Sequence, residues 1–156
     1  MSVRVQRQDF DFGEEIRRLT SARTDIGAVA TFLGLVRDDA QKLSALTLEH
    51  YPGMTERQLA AIEAAARRRW SLIDVAIIHR FGRLLSGAQI VMVAVAANHR
   101  LAAFEACEFL MDWLKTRAPF WKLEEGPGGC HWVEPKNEDD QRAERWTILP
   151  EGSRHV

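Results

Sequence analysis

Two runs rich in β-branched and apolar residues, Ile73 to Phe81 and Ile90 to Ala97, constrain the fold more than any other feature of the chain. Side chains of this kind favour the pleated conformation, and Gly82 and Gly87 between the runs supply turn positions. They are the strongest strand pair in the sequence.

Around them the apolar pattern alternates between the period of a strand and that of a helix. Val3 to Gln8 reads as a short strand, and Phe12 to Ala22 as a helix with Ile16 and Leu19 inward. Ile26 to Val36 is a long strand in which Gly27 and Gly34 mark a bulge or a close approach. Leu43 to Tyr51 alternates again and is expected to pair with the preceding strand as a hairpin across Asp38 to Lys42. After the Pro52-Gly53 turn, Thr55-Glu56-Arg57-Gln58 has capping-box spacing with Thr55 as N-cap. The helix that follows turns Leu59, Ile62 and Ala66 inward. Asn98 is expected to cap a helix from His99 to Arg117 with the stripe Leu101, Phe104, Cys107, Leu110 and Leu114. Phe120 to Glu125 and Cys130 to Glu134 make a last hairpin, and Asn137 caps a final helix ending near Trp146. The strand and helix order β-α-β-β-α-β-β-α-β-β predicts an α+β fold of mainly antiparallel sheets with packed helices. One domain is expected over 1–146, with a tail over 147–156.

With 46% hydrophobic and 28% charged residues, the 156-residue chain has the balance of an ordinary globular domain. A formal net charge of −1 leaves no general basic field for nucleic acid, so any positive site must be local. Cys107 and Cys130 match no C-x-x-C spacing, and His50, His79, His99, His131 and His155 are scattered, so no metal and no cofactor are expected. Neither a signal-peptide core nor a membrane-length apolar run is present, which predicts a cytoplasmic chain that does not engage a membrane.

The chemistry concentrates in Met111 to Glu124. Pro119 lacks an N–H and drives Ala118 out of the α region, so a helix must end there. Lys115 then lies in the last helical turn and Lys122 on the following extended segment, where two amines can be aimed into one pocket. Period two puts Glu124 on the face of Lys122, with Trp121 and Leu123 opposite. Asn98-His99-Arg100 opens a helix whose first N–H groups, with the guanidinium, suit an anion. Arg37 stands beside Asp38 and Asp39 and is either a second phosphate clamp or a loop ion pair. For the lysines the plainer alternative is a pair of solvated cations, and for Glu124 an exposed edge-strand salt bridge. Cys107, on the apolar stripe, reads as a buried inert thiol.

Four ordered segments carry a resemblance: Leu48 to Thr55, Ile78 to Gly82, Asn98-His99-Arg100 with Phe104-Glu105-Ala106, and Leu114 to Lys122. Together they resemble the large, catalytic subunit of molybdopterin synthase from about residue 3 to Trp146. The resemblance implies a sulfurtransferase. Sulfur from the thiocarboxylated C-terminal glycine of a small ubiquitin-like subunit would be installed on cyclic pyranopterin monophosphate (precursor Z) as the dithiolene of molybdopterin. It also implies a homodimer with one small subunit at each end, and the strands at 26–36 and 72–97 offer apolar material for the dimer contact. Lys115 and Lys122 fall at the family's functional lysines, Arg37, His99 and Arg100 at substrate-binding positions, and Glu124 beside Lys122. The family often has a basic residue two positions before Arg37, where this chain has Leu35. Two other readings stand beside the enzyme: a non-catalytic module that binds a phosphorylated metabolite, and an adaptor for a ubiquitin-like partner.

Overall fold

The computed structural model describes residues 3–133 and 137–148. In chain order the elements are β1 (Val3–Gln6), α1 (Phe12–Thr20), β2 (Ala28–Leu35), β3 (Ala45–His50), α2 (Met54–Arg69), β4 (Leu72–Arg80), β5 (Gly82–Leu85), β6 (Gln89–Ala97), α3 (Arg100–Arg117), β7 (Phe120–Gly126), β8 (Gly129–Val133) and α4 (Asn137–Ile148). Two sheets form, with strand orders β1-β4-β6-β2 and β5-β3-β7-β8. All pairings are antiparallel except β1 with β4. The α+β class holds.

The pair foreseen from the β-branched runs, β4 and β6, is the middle of the first sheet. Val75, Ile77, Val93 and Val95 pack beneath α2 and α3, while Ile78, Met92, Ala94 and Ala96 pack on the other face with Leu19 of α1. Coverage of both faces explains why these strands are apolar throughout rather than alternating. Burial of each large side chain there contributes about 1.5–3 kcal/mol.

Four expectations are corrected. The hairpin between β2 and β3 does not form: β2 pairs with β6, β3 pairs with β5 and β7, and the segment between them crosses from one sheet to the other. Alternation fixes which way a side chain faces, and it carries no information about which strand lies alongside. A further strand, β5, occupies residues that read as the turn between β4 and β6. The chain bends at Gly82 (φ 90°), contributes four residues to the second sheet and returns at Gly87 (φ 86°).

The other two corrections concern helix starts. Helix α2 is capped at Gly53 (φ 83°), whose N–H donates to the Glu56 carboxylate at 2.7 Å. Thr55 is buried inside the first turn, its hydroxyl donating to the Tyr51 carbonyl at 3.0 Å. Helix α3 is capped at His99, because the Asn98 amide is committed to the Asp25 carbonyl at 2.9 Å. The buried stripe of α3 is Ala103, Ala106, Cys107, Phe109, Leu110 and Leu114, which leaves Leu101 and Phe104 59% and 64% exposed. Gly27 proves to be a close approach, since a Cβ there would lie 1.9 Å from the Asn98 carbonyl oxygen. Gly34 adjoins a register shift in β2. Glu134 and residues 149–156 of the expected tail lie outside the described residues.

Candidate active site

The break at Pro119 forms as the sequence dictates. Ala118, the C-cap of α3, is extended (φ −70°, ψ 126°), and β7 begins at Phe120. The Phe120 ring lies flat against the imidazole of His79 near the end of β4, with centroids 3.7 Å apart and an interplanar angle of 16°. Lys115 is exposed in the last turn of α3. Lys122 is half-buried and in register with Leu48 of β3 and Val133 of β8.

Both amines act on the same ring. His79 is buried and its pKa is pushed down to about 4, first by burial, then by the nearby charges of Lys122, Lys115 and His50, against an opposing hydrogen bond to the Arg80 carbonyl. The charges of the helical lysine and the strand lysine thus both oppose protonation of this one ring. An open cleft of about 590 Å³ between β2 and α3 also reaches Lys115, lined by Thr31, Phe32, Phe104, Met111 and Arg142.

The other expected residues divide. Glu124 shares the face of Lys122, in register with Leu46 and His131, and its carboxylate is 3.3 Å from His131 Nε2. Strand β7 lies between β3 and β8, so Glu124 is not on a sheet edge. Arg37 is exposed just beyond β2 and pairs with Asp39 at 2.9 Å. His99 and Arg100 are exposed at the start of α3, where no acidic residue sits in the first turn to offset the helix dipole.

Within one chain these groups do not all meet. Lys115 lies fifteen residue steps beyond Arg100 along α3, about 22 Å at 1.5 Å per residue. Register shows which residues share an end. Ala28 pairs with Ala97 at one end of the first sheet, and Leu35 pairs with Gln89 and His79 with Val91 at the other. Lys115, His79 and Arg37 therefore occupy one end of the α3–β2 layer, and His99 and Arg100 the opposite end.

His79 itself was not singled out from the sequence. Its signal was a titratable residue inside an apolar strand, Ile78-His79-Arg80, which pattern reading absorbs into the core. Cys107 is the buried thiol that its stripe position implied, its pKa pushed up to about 11 by desolvation.

Two mainly antiparallel sheets, with a lysine-bearing helix that breaks at Pro119 into a lysine-bearing strand, define an α+β protein. The chain belongs to the MoaE protein family, whose model matches residues 5–117. It is 51% identical over 154 residues to a molybdopterin synthase catalytic subunit of Ralstonia nicotianae, spanning 97% of this chain and 88% of that one. The solved molybdopterin biosynthesis MoaE protein of Burkholderia ambifaria matches with a TM-score of 0.82 and 52% identity, over 95% of this chain and 99% of that one. A chain in the complex of subunits 1 and 2 of molybdopterin-converting factor from Helicobacter pylori matches with a TM-score of 0.73 over 86% of this chain and 91% of its own. At 18% identity it shares the fold.

Proposed function

We propose that this chain is the catalytic subunit of a molybdopterin synthase. It transfers sulfur from the thiocarboxylated C-terminus of a small ubiquitin-like subunit to cyclic pyranopterin monophosphate, forming the dithiolene of molybdopterin. The observation that carries the reading is the break at Pro119, with Lys115 in the last turn of α3 and Lys122 on β7, in a chain about half identical to proteins named for this activity. Cytoplasmic placement goes with it, and none of the described helices is long and apolar enough to cross a membrane.

Substrate phosphate and thiocarboxylate are both anionic, and bringing them together away from water costs several kcal/mol unless fixed cations compensate. In the proposed division of roles, Arg37, His99 and Arg100 hold the phosphate, Lys122 positions the thiocarboxylate, and Glu124 orients Lys122 or relays a proton at the substrate. Lys115 donates or accepts the proton as the thiocarboxylate sulfur bonds to a pterin side-chain carbon and displaces its oxygen, giving a thioester whose carbonyl–sulfur bond water then cleaves. The tail leaves as a carboxylate, with water supplying its second oxygen.

The 22 Å separation is resolved by a homodimer. Strand β2 is an edge of the first sheet, eight residues long, with Phe32, Leu33 and Leu35 exposed, and Leu101 and Phe104 of α3 are exposed as well. A long apolar edge of this kind is a template for pairing with another chain. Antiparallel pairing of two β2 strands about a two-fold axis sets the start of one beside the end of the other. The partner copy's His99 end then faces this chain's Lys115 and Arg37. Leu35, in place of the family's frequent basic residue, suits an edge that is covered.

The test combines two inactive homodimers, Lys115→Ala and Arg100→Ala, with thiocarboxylated small subunit and pterin. Sites shared between chains give mixed dimers with one intact site of two, so about a quarter of wild-type product formation returns after exchange. No recovery rejects the shared site. Wild-type turnover by both Lys115→Ala and Lys122→Ala rejects the catalytic reading.

A further inference from the structure

We propose that His79 is a positioning residue of the sulfur-transfer site: its imidazole, stacked on Phe120, fixes the handover from α3 to β7 and with it the backbone positions of Lys115 and Lys122. The inference rests on the assignment of Lys115 and Lys122 to that site. Its basis is geometric. The ring of His79 is in face-to-face contact with Phe120, the first residue after the Pro119 break. Phe120 lies five residues beyond Lys115 and two before Lys122, so whatever fixes its ring fixes where the helix hands over to the strand. A second aromatic contact backs the first: His50 lies with its centroid 4.3 Å from Phe81 and 6.0 Å from Phe120. Nδ1 of His79 is 2.8 Å from the Arg80 carbonyl oxygen. A carbonyl only accepts, so Nδ1 carries the proton and Nε2 is left as a lone pair.

Charge explains why an imidazole in this form suits the position. The titratable groups whose charge bears on it are Lys122 from β7, Lys115 from α3 and His50 from β3. A protonated ring would add a third cation to a region that already carries two ammonium groups, and would repel both. The neutral ring lets both approach and gives them a polar neighbour able to accept a hydrogen bond. Anions entering the site then meet two amines whose backbone positions are already set, which lowers the cost of ordering them at binding.

Two measurements test this in the full-length protein. First, NMR of the ring should show the Nδ1–H tautomer at neutral pH and titration well below 6, with Lys122→Ala and Lys115→Ala each moving the midpoint upward. A midpoint near 6.5 that neither substitution moves would overturn the inference. Second, His79→Ala should lower kcat at least about tenfold with KM for the pterin changed less than about twofold, because misplaced amines cost turnover more than binding. His79→Phe, which keeps a flat uncharged ring on Phe120, should recover most of that loss. Wild-type kcat in His79→Ala, or no recovery in His79→Phe, would overturn it as well. Should the alanine variant fail to fold, the titrations of the wild-type and lysine variants still decide. Activity of both lysine variants would sink the underlying reading instead, and the ring titration is independent of that outcome.

Discussion

The indole N–H of Trp146 donates to Oδ2 of Asp112 at 2.7 Å, and both residues are buried. This bond ties α4 to α3 within two turns of Lys115. Arg145 reaches the same carboxylate at 2.9 Å and Arg142 its other oxygen at 3.4 Å, with Glu108 as their second partner. Trp146 also meets Trp70 and Phe109 edge-on, with centroids 5.6 and 5.5 Å away.

Because both arginines are more than a third exposed, they can turn to water if Asp112 is removed. The indole N–H cannot. Asp112→Ala should therefore cost about 1–3 kcal/mol, the usual penalty for a stranded buried donor, and Trp146→Ala about 3–5 kcal/mol through the cavity. Urea unfolding measures both, and an Asp112→Ala midpoint equal to wild type would show that α4 docks without this bond.

Stability should fall in acid through His79. Its pKa is about 4 when folded against 6.5 as the ordinary value, so the unfolded chain binds the extra proton first. Folding is unaffected above about pH 6.5, and roughly 3 kcal/mol is lost as the pH drops to about 4. His79→Phe lacks this term, so the gap in unfolding free energy between wild type and variant should close or invert from pH 7 to pH 4.5. A constant gap across that range would show that the imidazole titrates normally.

How much of this was legible in the sequence depends on whether the information was local. Pro119 acts on its own neighbours, so the end of α3, the start of β7 and the shared face of Lys122 and Glu124 followed directly. The pairing of β2 with β6 is a contact between distant segments, and the apolar composition of Ala28–Leu35 is silent about it. Thr55 and Asn98 were sound caps by type, yet Gly53 after Pro52 set an earlier start for α2, and Asp25 claimed the Asn98 amide. The separation of Arg100 from Lys115 was available as helix length times rise. Motif order masked it, because residues that serve one reaction need not meet within one chain.

Gly27 gives a test that joins fold to site. A methyl group there would collide with the Asn98 carbonyl, which is backbone and immediately precedes the cap of α3. Gly27→Ala should cost about 1–3 kcal/mol of stability, the range for overpacking. It should also shift the His99 end of the helix, so weakened binding of the pterin phosphate is expected in whatever folded protein remains. Tm and pterin affinity are the readouts, and loss of neither would mean that the strand and the helix start move apart freely.

The exposed edge of β2 decides whether the two halves of the site belong to different copies. Leu33 and Leu35 are 37% and 51% exposed on the strand that would pair, while Val36 beside them is buried. Glutamate at both positions sets four like charges across a two-fold contact, and charges directly opposite on paired strands are destabilising. Neither residue contributes to the β4–β6 core, so the double variant Leu33→Glu, Leu35→Glu should keep its circular dichroism while light scattering reports a monomer. Product formation should then fall at least about a hundredfold, because Lys115 and Lys122 remain without the partner's His99 and Arg100, and removing a fixed charge from a transition state costs that much. A fully active monomer would place the phosphate site within a single chain, against the 22 Å that the α3 helix sets between its ends.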